Sequence, residues 1–324
     1  MTEELHGKLG VKKVMSKKLI SVIIPAYNES ECIDELHSRL ANIFDAETDY
    51  DFEAVIVENG SSDDTYEKLL VINQKDSRFK ILKLARNFRM DGGLTAGLSV
   101  INSDACILMT ADLQDPPEQI PTLIRKWEEG FENIYGIVTE RQGTGPIRTF
   151  NSKAFYWLAG KLTDNRIPKN ASDFRLLDRK VYEAVRDMDE RNRFVRGLVA
   201  WVGFTSVGVE IARPPRFAGE SKAYSFQVID LAFKGIFAHS YKPLRIITVT
   251  GILVSVLSVV GFIALALRWF LVGVPFGGYG TLTTIALFSF GLLTFMLGII
   301  AEYLGLIYEE VKKRPNYVID RWVS

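Results

Sequence analysis

The chain has 324 residues, 48% of them hydrophobic, with 39 Lys+Arg against 39 Asp+Glu and a formal net charge of +0. That length exceeds a typical single domain, and the even charge balance argues for no nucleic-acid partner. Cys32 and Cys106 have neither metal spacing nor the even framework of a secreted disulfide domain, so they read as buried thiols in a reducing compartment.

In chain order, residues 1–18 form a polar segment with scattered lysines and no apolar run of signal-peptide length. Leu19–Pro25 is a β-branched run ending in proline, the pattern of a buried parallel strand entering a loop. A helix over about Ser30–Phe44, a strand at Phe52–Val57, a helix at Asp64–Asn73 and a strand at Phe79–Leu84 follow, giving βαβαβ alternation. Asp91–Val100 supplies another helix, Ala105–Met109 a fourth strand, and Pro116-Pro117 opens a helix running to about Glu129. The pattern predicts an α/β fold with an open, mostly parallel, doubly wound sheet. Ligands in such sheets bind beyond the carboxyl ends of the strands, where the polar clusters of this chain fall.

Beyond this domain, assigned to residues 19–224, Ser225–His239 places Phe226, Ile229, Phe233, Ile236 and Phe237 at helical spacing, and residues 225–243 read as an amphipathic interface helix. From Ile246 to Ala301 the only charge is Arg268. Two transmembrane helices are expected, at 244–272 and 281–307, joined by a Gly/Pro-bearing turn. Lys234, Lys242 and Arg245 precede the first span, and Lys312, Lys313 and Arg314 follow the second. The turn has no Lys or Arg, so both termini and the domain at 19–224 are expected on the cytoplasmic side, with 308–324 a cytoplasmic tail. Gly251, Gly261, Gly291 and Gly298 would allow close helix packing within a chain or in a homo-oligomer.

Chemistry-bearing residues sit at the strand ends. Pro25-Ala26-Tyr27-Asn28-Glu29 leaves the first strand and Glu58-Asn59-Gly60-Ser61-Ser62-Asp63-Asp64-Thr65 leaves the second. Each alone reads as a solvated turn with a helix cap at Ser62 or Asp63, and their joint order is what points to a site. The fourth strand runs into Thr110-Ala111-Asp112-Leu113-Gln114-Asp115-Pro116-Pro117. Alternate residues there are expected to point the same way. Asp112 and Gln114 then share one metal while Leu113 faces inward. Hard oxygen ligands suit Mg2+ or Mn2+, which would neutralise a departing nucleotide diphosphate.

The strand-PAYNE, ENGSSDDT, RNF, ADLQDPPE, DFRLLDRKV, RFVRGLVAWVGF and PRFAGESK segments together resemble the family-2 glycosyltransferases of the polyprenyl-phosphate type, over almost the whole chain. Within that family the chain is most similar to bactoprenol glucosyltransferases and to dolichyl-phosphate mannose synthase. The two-helix anchor resembles the bactoprenol branch. The resemblance implies a Rossmann-like GT-A catalytic domain and a UDP-sugar donor. It further implies a polyprenyl-phosphate acceptor in the lipid bilayer of the plasma membrane. It places Pro25, Tyr27 and Glu29 along the nucleotide, Glu58 and Asn59 at the base, Arg86 at the base or ribose, and Asp112 with Gln114 at the metal. It also implies that Arg216 and Lys222 bracket a loop closing over the diphosphate.

Two residues depart from the family pattern. Thr110 stands where an aspartate is usual, and Asn59 where a second acidic residue is usual. An amide there can meet uracil N3–H, which favours UDP over GDP. A lipid phosphate with a second pKa of about 6 is already ionised and needs no base, so inverting in-line attack is expected. Asp115 and Asp173 are assigned to orienting sugar and acceptor, Asp173 being equally a strand-end turn residue. Arg141, Arg148 and Ser152 accompany an aromatic segment, Phe150–Leu162, that suits an interfacial helix with the acceptor phosphate just above it. The alternatives are a non-catalytic nucleotide-sugar binder, a transferase using GDP-mannose or another donor, a processive synthase and a flippase. The synthase lacks its Gln-x-x-Arg-Trp helix, and the flippase lacks a polar pathway through the spans.

Overall fold

The computed structural model describes residues 17–140, 171–212, 214, 242–272 and 278–324. The expectations placed on Arg141, Arg148, Ser152, Arg216 and Lys222, on the segments 150–162 and 225–239, and on residues 1–16 lie outside the described residues.

Strands β1 (Lys18–Ala26), β2 (Tyr50–Glu58), β3 (Phe79–Leu84) and β4 (Ala105–Leu108) alternate with helices α1 (Ile33–Ala46), α2 (Thr65–Lys75) and α3 (Arg89–Val100). A 3-10 turn, Pro117–Gln119, leads into α4 (Ile120–Glu128). The single helix expected from Pro116 divides there because Pro121, in the first turn of α4, has no N–H to bond back along the chain. There follow β5 (Asn133–Glu140), β6 (Ala171–Asp178), α5 (Arg179–Arg186), α6 (Val195–Val202) and β7 (Ser206–Ala212). Two long helices, α7 (Lys242–Val272) and α8 (Tyr279–Lys312), precede a last strand, β8 (Ile319–Val323).

The strands form one sheet in the order β7-β5-β6-β4-β1-β2-β3-β8. β4, β1, β2 and β3 run parallel, whereas β6 and β8 pair antiparallel to β4 and β3 at either side. Alternate residues of β1 enter two cores. Ile20, Val22 and Ile24 pack with Leu36 and Leu40 of α1, Leu69 of α2 and Leu123 of α4. Ile23 packs on the other face with Leu94 and Leu98 of α3, Val181 of α5 and Leu198 of α6. Burial on both faces is why β1 is apolar at nearly every position, and each such Ile, Leu or Val stabilises the domain by about 1.5–3 kcal/mol.

α7 has 31 residues and α8 has 34. Among the described residues, one stretch, Ser289–Lys312, is long and apolar enough to cross a membrane by length and composition, where the sequence reading has two. The stretch expected to be a tail does more than trail away from the helix. Lys313, with φ 50°, ends α8, and the chain returns so that β8 pairs with β3 from Leu84↔Ile319 to Ile81↔Val323. The end of the apolar helix is thereby tied, through residues 313–318, to the edge of the α/β sheet.

Candidate active site

The loops after β1 and β2 are joined by side-chain hydrogen bonds. Asn28, with φ 52°, donates its backbone N–H to Ser61 Oγ at 3.0 Å and accepts from Ser62 N on Oδ1 at 2.8 Å. Glu29 N donates to Thr65 Oγ1 at 3.0 Å and Ser30 N to Asp63 Oδ2 at 3.2 Å. Burial pushes the Asp63 carboxyl up, but the hydrogen bonds from Thr65 and Ser30 outweigh it and hold the group below the usual carboxylate range. Pro25, Tyr27 and Glu29 thus line a loop held against the loop that starts at Glu58.

Glu58 is buried at the end of β2. Its Oε1 accepts from Ser61 N at 2.5 Å, while Oε2 is buried with no hydrogen-bond partner among the described residues. An orphaned carboxylate oxygen is costly inside a protein unless a ligand N–H or O–H completes it. Asn59, expected at the base, bonds the chain after β3 through both ends of its amide. Its Oδ1 accepts from Phe88 N at 2.8 Å and its Nδ2 donates to Arg89 O at 2.9 Å, so the amide clamps the loop after β3. That loop carries Arg86, exposed, with its guanidinium 4.1 Å from the centre of the Phe88 ring. Gly60, with φ 71°, lies beneath it, and a Cβ there would fall 2.6 Å from the Arg86 carbonyl carbon.

After β4 the chain turns. Leu113 has φ 58° and is buried, so it faces inward as expected, but through a left-handed turn and not through strand alternation. The turn is held by Thr110. Thr110 Oγ1 lies 2.7 Å from Asp112 Oδ1 and 2.9 Å from Asp115 Oδ2, and Thr110 N donates to the same Asp115 oxygen at 3.1 Å. Ser172 Oγ, on β6, donates to Asp115 Oδ1 at 3.2 Å. Asp115 is fully buried and both its oxygens are engaged, so in this conformation it braces the turn against β6. Asp173 follows Ser172 on β6. Its carboxylate forms a two-pronged ion pair with Arg196 on α6, Nε to Oδ1 at 2.9 Å and Nη2 to Oδ2 at 2.5 Å.

Asp112 Oδ1 also receives Gln114 N at 3.3 Å. Among the described residues no group of three His, Cys, Asp or Glu is gathered to enclose a metal. The Asp112 carboxylate and the Gln114 amide are nevertheless hard oxygen donors. Mg2+ and Mn2+ are commonly held by one or two such groups plus phosphate oxygens and water, so the donor set fits a cation that arrives with a diphosphate.

Sequence reasoning missed Ser172 and Arg196, which stand inside the ASDFR and RFVRG segments without any spacing signal. Arg175 was also missed. It is buried on β6, where loss of solvent lowers its pKa to about 10 and the nearby Asp173 carboxylate opposes that shift.

The Glycosyl transferase family 2 profile matches residues 21–186. An uncharacterized glycosyltransferase of Synechocystis sp. is 40% identical over 94% of this chain and 95% of its own length. A prophage bactoprenol glucosyl transferase homolog of Escherichia coli is 34% identical over 93% of this chain and 98% of its own. The SfII prophage-derived bactoprenol glucosyl transferase of Shigella flexneri is 34% identical, with 93% and 97% covered. Among solved structures, glucosyl-3-phosphoglycerate synthase from Mycobacterium tuberculosis, crystallised with Mn2+, UDP-glucose and phosphoglyceric acid, aligns with a TM-score of 0.51. That alignment covers 68% of this chain and 78% of the other at 16% identity, a likeness of fold.

Proposed function

The chain belongs to glycosyl transferase family 2, and we propose that it transfers glucose, with inversion, from UDP-glucose to the phosphate of a polyprenyl lipid such as undecaprenyl phosphate. The observation that carries this reading is the return of β8 to β3, which ties the end of an apolar helix, a few residues away in sequence, to the sheet that holds the donor-site loops. A transferase joined in this way to a membrane helix works on an acceptor at the bilayer surface. Bactoprenol glucosyl transferases as relatives support glucose and a polyprenyl phosphate.

The donor nucleotide lies along Pro25, Tyr27 and Glu29, and a base or ribose donor completes Glu58 Oε2. Asp112 and Gln114 hold Mg2+ or Mn2+ beside the diphosphate. When bound there, such a cation would supply positive charge against the departing UDP. Arg216 and Lys222 close over the same diphosphate, and Arg141, Arg148 and Ser152 hold the acceptor phosphate. The lipid phosphate is ionised near neutral pH, so the protein positions its oxygen in line with the anomeric carbon and needs no general base. Asp173, held by Arg196, lines the acceptor half.

We place two spans in the bilayer. α7 supports the first, because its Ile252, Leu253, Val256, Leu257, Val260, Ile263 and Leu267 are exposed over a helix long enough to cross. With both helix ends flanked by cations, the catalytic domain and both termini lie on the cytoplasmic side of the plasma membrane.

The test is transfer of radiolabel from UDP-glucose to undecaprenyl phosphate in detergent, with and without Mg2+ or Mn2+, and with Asp112→Ala as control. Metal-dependent lipid product that disappears in the variant is the expected result. Transfer only from another nucleotide sugar would change the donor and keep the reaction. A second reading, a non-catalytic nucleotide-sugar binder, is favoured by one observation, Thr110 between two carboxylates. Tight UDP binding without transfer from any donor would establish it.

A further inference from the structure

Among the described residues, the last turn of α8 meets the catalytic domain through Glu310. Glu310 Oε1 accepts from Arg191 N at 2.7 Å and from Asn192 N at 3.3 Å, capping two backbone donors of the loop between α5 and α6. Four residues beyond the helix end, Asn316 Nδ2 donates to Glu190 O at 2.9 Å. Ala85 N, at the end of β3, then donates to Val318 O at 2.9 Å as the chain enters β8.

The loop so gripped leads directly into the acceptor half of the site. Arg193 anchors it from below, with Nη2 donating to Val185 O at 2.6 Å and Nη1 to Met188 O. Val195 N, in the first turn of α6, donates to Asp91 Oδ1 of α3 at 2.9 Å. Arg196 then forms the two-pronged pair with Asp173, next in sequence to the Ser172 that holds Asp115. Asn192 and Arg196 are four residues apart, at most about 14 Å of chain, and hydrogen bonds fix the segment at each step.

We propose that Glu310 is a positioning residue that ties the end of the membrane helix to the Arg196–Asp173 pair, so that the helix sets where the acceptor half of the site stands relative to the bilayer. The proposal rests on the polyprenyl-phosphate reading for its acceptor. A lipid-borne phosphate is presented at a height fixed by the headgroup layer. A site whose wall hangs from the membrane helix keeps that height, and a site on a free tether does not. Glu310 serves two N–H donors through one carboxylate oxygen, a geometry that Gln retains through its carbonyl and Ala loses.

The experiment compares wild type, Glu310→Ala and Glu310→Gln as full-length protein in nanodiscs. It measures amide hydrogen exchange over residues 190–196 and KM for two acceptors, undecaprenyl phosphate in the bilayer and a short-chain, water-soluble polyprenyl phosphate. Glu310→Ala is expected to speed exchange at Arg191, Asn192 and Val195. It should raise KM for the bilayer acceptor about tenfold, the scale of a lost hydrogen bond to a charged group, with KM for the soluble acceptor and UDP affinity unchanged. Glu310→Gln should restore all of these. Exchange that rises at Arg191 and Asn192 and stops short of Val195 overturns the coupling. An equal rise in both KM values with weaker UDP binding also overturns it, as plain destabilisation. If wild type transfers to neither acceptor, the reading of function fails, and the exchange pattern alone still decides the coupling.

Discussion

Thr110 Oγ1 lies 2.7 Å from Asp112 Oδ1, and the same oxygen is 2.9 Å from Asp115 Oδ2. A hydroxyl carries one proton, so it donates to one of these carboxylates at a time. A cation on Asp112 frees the proton for Asp115, whereas without one both carboxylates compete for it. Thr110→Asp would place a third carboxylate in this turn. We expect Mn2+ affinity in the presence of UDP to rise about tenfold while the metal-free protein loses on the order of 1–3 kcal/mol to like-charge repulsion. Titration calorimetry with Mn2+ and a melting curve in chelator measure the two effects. Unchanged affinity would mean that residue 110 does not face the cation.

Gly60 sits where the loops after β2 and β3 touch. Gly60→Ala must hold a side chain at φ 71° and push a Cβ against the Arg86 backbone, 2.6 Å away. The left-handed backbone alone costs about 1–2 kcal/mol, and the clash moves the loop that carries Arg86. UDP affinity should fall more than tenfold together with a lower melting temperature. A variant that binds UDP normally would show that Arg86 has no part in the nucleotide site.

Asn59→Asp separates two roles for the same residue. Direct reading of the base by Asn59 would shift preference from UDP toward GDP. The observed clamp gives another outcome, because a carboxylate oxygen would replace the Nδ2 that donates to Arg89 O. Losing that donor and facing oxygen against oxygen costs about 1–3 kcal/mol. Affinities for UDP and GDP should therefore weaken together, by about tenfold or more, with their ratio unchanged. Competition binding with the two nucleotides reads the ratio.

Removing residues 315–324 deletes β8 and bares the β3 edge, at a cost of about 1 kcal/mol for each ladder hydrogen bond lost. The truncated protein should melt lower and self-associate in detergent, as size-exclusion chromatography would show. A variant of unchanged melting temperature would mean that β8 adds nothing to the sheet.

The parallel half of the fold was legible because its strands are buried on both faces, and such strands must be apolar throughout: Ile20, Val22, Ile23 and Ile24 leave little else to read. β8 was not legible. Ile319, Asp320, Arg321 and Trp322 are exposed on an edge strand, so no burial pattern marks them, and the stretch reads as a tail. The site divides in the same way. Asp112 stands in a recognisable motif, and Thr110 and Asn59 were visible as departures from it. What Asn59 does depends on the backbone of Phe88 and Arg89, about 30 residues away in sequence, and no local pattern encodes that meeting. Asp173 drew notice through its motif, whereas its partner Arg196 comes from a different helix and is found only when α6 packs beside β6.

Asp91 gives the stability a pH dependence that can be traced to one side chain. Burial at the start of α3 is the main cause, and Asp173 adds to it. Against the hydrogen bond from Val195 N and the charges of Arg196 and Arg193, the carboxyl is pushed up from 3.8 to about 6. A carboxyl whose folded pKa is raised binds its proton more tightly in the folded protein than in the unfolded chain. Its contribution to stability is therefore fully present below about pH 4 and is lost as the pH rises through about 6. Asp63, Asp76 and Glu118, held below the usual range, act in the opposite sense and lose their contributions as the pH falls. Asp91→Asn keeps an oxygen to accept Val195 N–H and removes the ionisation. Relative to wild type, its melting temperature should gain across pH 4 to 6.5 and run parallel above that range. Melting curves in a single buffer series test this, and identical slopes for the two proteins between pH 4 and 6.5 would assign the dependence to another group.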